Sequence, residues 1–215
     1  RADIQAAISE QQIKKYPDDF TANFRMGDLM LMRNLPADAV PYFQKAAESD
    51  PHSVLAATEL GNAYFAAKQI PESIAALRHA LEIDPTYTDA RYNLASVLAT
   101  SGSFEDAAHE YEQVLKDQPD NLPARQHRAE VLVLWADQIA RAGDDNKAIA
   151  MYREAMPELI SNPAVHVRLG MAYARQERLE EAQTEFETVQ RLDPQSQIAA
   201  QAIAAIVARR KSTGK

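Results

Sequence analysis

Apolar residues recur every three to four positions along most of the chain, and polar residues fill the positions between them. This period is typical of an amphipathic α-helix with one buried face. Between Phe20 and Pro51 the pattern occurs twice, on either side of a short polar turn near Asn34. The apolar positions are Phe24, Met26, Met30 and Leu31, followed by Val40, Phe43 and Ala46. The sequence therefore predicts two consecutive helices in this stretch.

The two-helix pattern repeats along the chain, and prolines mark its period. Pro17, Pro51, Pro85 and Pro119 are 34 residues apart, and Pro163 and Pro194 follow at intervals of 44 and 31. Small residues lie 24 positions before the prolines, at Gly27, Gly61, Ala95 and Gly170, and large apolar residues lie eight positions before them, at Phe43, Leu77, Tyr111 and Phe186. One helix pair cannot bury both of its apolar faces, so neighbouring pairs must stack. The pattern predicts an all-α solenoid.

This arrangement of small, large apolar and proline positions resembles the tetratricopeptide repeat (TPR) family, with about five repeats over residues 20–194. The resemblance implies a right-handed α-solenoid, or superhelix, of stacked antiparallel helix pairs with a C-terminal capping helix. The predicted repeats are 20–53, 54–87, 88–121, 122–162 and 163–194. Residues 1–19 are predicted to form an N-terminal helix or half repeat, and residues 195–215 a capping helix with a basic tail that ends at Lys215.

The fourth predicted repeat departs from the pattern of the others. Its apolar pattern continues from Leu122 to about Ala142, which lengthens the first helix by close to two turns. Pro157 is expected to end the second helix early, because proline lacks the backbone N–H that the helix needs. Gly102, Gly143 and Asn34 lie where the chain turns between helices, and we expect left-handed backbone there.

The composition excludes several classes of protein. The net charge of −8 argues against nucleic acid or an anionic membrane surface as a partner. No apolar stretch reaches the ~20 residues that a membrane span requires, so no direct membrane insertion is predicted. The absence of cysteine fits a reducing cytosol and equally a periplasm, and we favour a soluble cytoplasmic protein while the compartment stays undetermined. The start at Arg1 instead of Met indicates a processed product or a segment of a larger protein.

No catalytic, metal-binding or cofactor-binding motif is found in the sequence. The five histidines have no metal-ligand spacing, and the glycines form no phosphate-binding loop. The acidic pairs lie at turns or early in second helices, where they complement the helix dipole. We therefore predict no enzyme activity, no cofactor and no metal site in this chain.

In the TPR family the first helix of each repeat lines a concave surface, and helical spacing predicts the residues that would face it here. The predicted partner-binding groove contains Phe24, Arg25, Asp28, Thr58, Glu59, Asn62, Phe65, Tyr92, Asn93, Gln126, His127, Glu130, Arg168 and Met171. This mixture of apolar and polar side chains suits a peptide held by pockets and hydrogen bonds. Three acidic residues, Asp28, Glu59 and Asp89, occupy positions at which a chaperone-tail clamp would carry cationic or amide groups, so that ligand is not predicted.

The sequence thus predicts a protein–protein interaction scaffold or adaptor that binds a protein or peptide segment in this groove. Two alternatives are open. The chain is the non-catalytic, substrate-recruiting arm of a larger enzyme such as a transferase or protease, or it is a structural piece that forms a weak homo-oligomer.

Overall fold

The computed structural model describes residues 2–212. All regular structure in this range is α-helical, with no strand among the described residues. The predicted all-α fold of antiparallel helix pairs is confirmed. The chain divides into two compact units, unit 1 (residues 1–119) and unit 2 (residues 120–215). The end of the predicted basic tail, including Lys215, lies outside the described residues.

Unit 1 consists of one helix followed by three antiparallel helix pairs, in which α2 packs on α3, α4 on α5, and α6 on α7. Each pair also packs on the next, through α3 with α4 and α5 with α6. Within the described part of this unit the helices are α1 (Ala2–Lys15), α2 (Phe20–Met32), α3 (Pro36–Ser49), α4 (Val54–Ala66), α5 (Ile70–Ile83), α6 (Thr88–Thr100) and α7 (Phe104–Asp117).

Unit 2 consists of two antiparallel pairs followed by a single helix. α8 packs on α9, α10 packs on both α9 and α11, and the last helix packs on α11. The helices of its described residues are α8 (Leu122–Arg141), α9 (Asp145–Leu159), α10 (Pro163–Arg175), α11 (Leu179–Leu192) and α12 (Gln197–Ser212).

A large side chain from each second helix fills the space against a small residue of the first helix. The large residues are all buried, and they are Phe43, Leu77, Tyr111, Tyr152 and Phe186. The small residue lies 16 positions earlier in each pair, at Gly27, Gly61, Ala95, Ala136 and Gly170. A methyl group added at Gly27 would come within 2.7 Å of the Phe43 ring. The close approach of the two helices therefore depends on the absence of a side chain at this position.

The connections between first and second helices share one geometry. The residues with positive φ are Asn34, Lys68, Gly102, Gly143 and Glu177. In each turn the next residue's amide donates to a carbonyl five positions back, for example from Leu35 to Met30 at 2.8 Å and from Gln69 to Tyr64 at 2.9 Å. This is the Schellman arrangement, which satisfies carbonyls at a helix end. Left-handed backbone at Asn34, Gly102 and Gly143 was predicted, whereas Lys68 and Glu177 were not.

The first helix of the fourth repeat is longer than the others, as predicted. α8 has 20 residues, whereas α6 and α10 have 13 each. The small residue Ala136 lies seven positions before the turn glycine, the same distance as Ala95 from Gly102 in the preceding pair. The added residues therefore lie at the start of α8. The early helix end predicted at Pro157 is wrong, because α9 continues to Leu159.

Two helix pairs contain a bridge of the same construction, partly buried in unit 1 and with a buried histidine in unit 2. The Arg91 guanidinium donates to the Glu110 carboxylate at 2.8 Å and to the Pro85 carbonyl at 2.6 Å. In unit 2, the ring nitrogens of His166 lie 2.6 Å from a Glu185 oxygen and 2.8 Å from the Ile160 carbonyl oxygen. Arg91 and His166 each lie four positions before the small residue of their helix. The two glutamates each lie one position before the large buried residue of the partner helix. His166 thus takes the place that Arg91 has in the earlier pair.

The single helices at the two ends cover the outermost pairs. Ala6 of α1 packs with Met26 and Leu29 of α2. In α12, Ala199 and Ile206 are buried. The spacing of Ile198, Ala202, Ala205 and Ile206 predicts a buried apolar stripe on α12. This prediction is partly wrong, because Ile198 is 52% exposed.

Candidate functional site

In unit 1, three first helices place polar side chains side by side. We call Asp28, Glu59, Asn62, Asp89 and Asn93 the polar stripe. The Asn93 amide donates to the Asn62 side-chain oxygen at 2.9 Å, across the space between α6 and α4. The Asn62 amide in turn donates to a Glu59 carboxylate oxygen at 3.3 Å. All except the exposed Asp89 are partly buried.

Burial disfavours the charged form of two carboxyl groups in the polar stripe. Burial raises the pKa of Asp28 above its ordinary value. Burial also raises the pKa of Glu59; the hydrogen bond from Asn62 opposes this shift, and the charges of Asp28 and Asp89 add to it. Neither Asp28 nor Glu59 forms a salt bridge with a cationic side chain of the described chain. The stripe is therefore a partly desolvated region of negative charge.

Replacing Asp28 with Asn and Glu59 with Gln together is expected to stabilise unit 1 by an amount that grows with pH. A carboxyl group whose pKa is higher in the folded state than in the unfolded state binds more protons in the folded state. The wild-type protein therefore loses stability as the pH rises from the pKa of the unfolded state through the raised pKa of the folded state. The amide variant lacks this loss. Urea unfolding at a series of pH values would measure it, with Glu10→Gln/Asp117→Asn, at two exposed acidic positions, as control. A gain that did not change between acidic and neutral pH would contradict the expectation.

The predicted aromatic residues of the groove also belong to the packing of their own pairs. The Phe24 ring meets the Phe43 ring edge-on, with centroids 5.3 Å apart, and Tyr92 meets Tyr111 in the same way at 5.5 Å. Phe65 is half-buried, and Arg25 is exposed. Each partly exposed ring therefore offers one side to solvent and packs with the other.

The placement of Thr58 in the groove is corrected by the structure. Its side chain is buried, and its hydroxyl donates to the Val54 carbonyl of the same helix at 2.7 Å. Helical spacing gave its direction on α4 but not its burial. Thr58 is thus unavailable to a partner.

In unit 2, the predicted residues of α8 and α10 lie in different surroundings. Gln126, His127 and Glu130 are exposed on α8. On α10 the Arg168 guanidinium donates to Asp137 at 3.0 Å, and the Tyr152 hydroxyl donates to the other oxygen of that carboxylate at 2.6 Å. Burial and the hydrogen bond to Asp137 raise the pKa of Tyr152 well above its ordinary value.

Two adjoining clefts lie along this face of unit 2. The α8–α10 cleft has a volume of about 360 Å³ and is lined by Asp137, Ala140, Arg141, Tyr152, Arg168, Met171 and Arg175. The α10–α12 cleft has a volume of about 620 Å³, and its lining includes Met171, Arg175, Phe186, Ile198, Ala202 and Arg209. Met171 and Arg175 line both, so the two clefts are adjacent. Of these residues only Arg168 and Met171 were predicted as site residues.

The structure contains no other recognisable centre of chemistry in its described part. No group of three or more His, Asp or Glu side chains there is arranged to hold a metal ion. None of the described helices combines the length and apolar character needed to cross a membrane.

Comparisons with known proteins agree with the fold. Tetratricopeptide repeat profiles match residues 1–54 and 92–163 and, separately, residues 140–206, and a TPR repeat profile matches residues 61–102. The mouse (Mus musculus) tetratricopeptide repeat protein 21B is 23% identical over 191 residues, which cover 80% of this chain and 14% of that protein. This chain therefore spans a small part of that relative's length.

Two solved structures show the same architecture. YrrB, described as a TPR protein with an unusual peptide-binding site, is similar with a TM-score of 0.65 and 19% identity, over 92% of this chain and 98% of that one. The first TPR of Spaghetti (RPAP3) bound to the HSP90 peptide SRMEEVD is similar with a TM-score of 0.51 and 20% identity, over 52% of this chain and 89% of that one. Since one repeat profile alone matches more than half of the sequence, this chain belongs to the tetratricopeptide repeat family.

Proposed function

We propose that the chain is an interaction scaffold that binds a segment of another protein on the faces of its first helices. In unit 1 the binding residues are the polar stripe with Phe24, Arg25, Phe65 and Tyr92. In unit 2 they are Gln126, His127, Glu130, Arg168 and Met171. We infer binding, because these faces combine partly exposed aromatic rings with amide and charged side chains, which suits a segment of another protein.

The observation that carries this proposal is the pair of half-buried carboxylates on α2 and α4. Removing Asp28 and Glu59 from water costs free energy that no cation of the described chain compensates. Such desolvated charges are more common at functional sites than elsewhere on a protein surface. A lysine or arginine side chain of a bound segment would pair with them. The ligand of unit 1 is therefore expected to be a basic segment.

The amides of the polar stripe support the same ligand. Asn62 and Asn93 are linked to each other and each retains further hydrogen-bonding capacity, which suits the backbone of an extended segment. The relatives give independent support for a protein ligand, since YrrB is described as having a peptide-binding site and the Spaghetti repeat is bound to a peptide. Those ligands belong to those proteins, and the basic ligand is proposed from the residues of this chain.

A selection from a library of random peptides against the full chain would test the proposal. We expect a class of selected peptides rich in lysine or arginine, whose affinity falls about tenfold when Asp28→Asn and Glu59→Gln are combined, because two charge pairs are lost. The Glu10→Gln/Asp117→Asn control should leave that affinity within about twofold. If the wild-type chain selects no peptide, the proposed function is wrong.

The two alternatives stay predictions. A recruiting arm of a larger enzyme would require a catalytic part outside this chain. Self-association would show as a sedimentation coefficient that rises with protein concentration.

A further inference from the structure

The two clefts of unit 2 combine an apolar surface with arginine side chains. Ile198 of α12 is 52% exposed and Met171 of α10 is 42% exposed, and both line the α10–α12 cleft. The buried ring of Phe186 also lines it. Two large apolar side chains thus remain in contact with water, although α12 buries other apolar residues close by. An apolar side chain of a ligand would remove this surface from water.

The adjoining α8–α10 cleft has an excess of positive charge. Arg168 is paired with Asp137 at 3.0 Å, and Arg175 is paired with Asp145 through contacts of 2.6 to 3.0 Å. Arg141, the third arginine of the cleft, forms no salt bridge within the described residues. The three guanidinium groups thus have two carboxylate partners between them, Asp137 in the cleft lining and Asp145 outside it. The excess is one positive charge, and it lies next to the apolar cleft.

From these two features we propose that unit 2 binds a protein segment in which an apolar side chain lies close to one carboxylate. The apolar side chain occupies the α10–α12 cleft, and an aspartate or glutamate side chain binds Arg141 in the α8–α10 cleft. This inference rests on the proposed function, since it names the ligand of one part of the same binding surface. The ligand chemistry is the opposite of the basic one expected in unit 1.

The charge count favours a carboxylate over a phosphate group. One carboxylate neutralises the single excess positive charge of the cleft. A phosphoryl group carries about −1.5 to −2 charges at neutral pH, so its binding would give the cleft a net negative charge. Arg168 and Arg175 already donate to Asp137 and Asp145, so their donors are partly used. A phosphorylated segment would need those pairs to break.

The same peptide selection tests this inference with different variants. We expect a second class of peptides that pair a large apolar residue with Asp or Glu at a fixed spacing. Their affinity, measured by calorimetry, should fall about tenfold in Arg141→Glu and in Ile198→Asp. The matched controls are Arg153→Glu, at an exposed arginine on α9, and Leu134→Asp, at an exposed leucine outside the clefts. Both should leave the affinity within about twofold.

The outcomes separate this inference from the proposed function. Peptides that bind without an acidic residue, or whose affinity Arg141→Glu does not change, would overturn the inference and leave the scaffold function standing. Tighter binding after the acidic residue is replaced by phosphoserine would overturn the single-carboxylate ligand. Failure of the wild-type chain to select any peptide would overturn both.

Discussion

Replacing Phe43 with alanine is expected to lower the free energy of unfolding of unit 1 by about 3–5 kcal/mol, because it removes a large and fully buried side chain between α2 and α3. Phe43 is fully buried, and its ring lies against the backbone of Gly27 and the ring of Phe24. Glycine at position 27 cannot expand into the space that the ring leaves. Urea unfolding of the full chain followed by circular dichroism would measure the loss.

The same interface provides the control and a second arm of this test. Met32→Ala, at a side chain that is 79% exposed, should change stability by less than about 0.5 kcal/mol. Gly27→Ala should cost about 1–3 kcal/mol through overpacking against Phe43. Adding Phe43→Leu should recover part of that cost, since the two residues are in contact. A loss below about 1 kcal/mol in Phe43→Ala would contradict the proposed packing of this pair.

Replacing His166 with alanine is expected to destabilise unit 2 by about 2–3 kcal/mol. The ring is buried, and its removal takes away the hydrogen-bond partner of both the Glu185 carboxylate and the Ile160 carbonyl. Replacement with arginine should cost much less, because Arg91 makes the same two contacts in the α6–α7 pair. The fluorescence of Trp135, which lies in unit 2, would follow the unfolding of this unit.

His52→Ala, at an exposed histidine, serves as the matched control and should have an effect within about 0.5 kcal/mol. If His166→Arg were as destabilising as His166→Ala, the equivalence of the two bridges would be disproved. If neither variant changed stability, the buried bridge would contribute nothing to unit 2.

Most of the fold could be predicted from residue types that repeat along the sequence. Prolines, small residues and large apolar residues recur at fixed distances, and each class has a physical role in a helix pair. The turns were predicted only where the residue type carries a left-handed preference, as at Gly102. Lys68 and Glu177 have no such preference, and the turn geometry imposes their conformation. Pro157 was misjudged as a helix end, since α9 continues two residues beyond it.

The candidate site was less predictable, because helical spacing gives the direction of a side chain but not what covers it. Thr58 was assigned to the groove and is buried, while Ile198 was assigned to the buried stripe of α12 and is half-exposed. The partners of Arg168 and Arg175 lie about 30 residues away in sequence. The unpaired Arg141 becomes recognisable only once those partners are known.

The added length of α8 has a consequence for how such chains change over evolutionary time. Seven residues are close to two helical turns, so the insertion shifts the start of α8 along its axis by about 10 Å and leaves the azimuth of every later side chain nearly unchanged. An insertion of five would turn the start of α8 by about 140° relative to Ala136, so the chain would enter the helix from a different side. Repeats of this kind can therefore acquire new surface in steps of whole heptads without redesigning the interior.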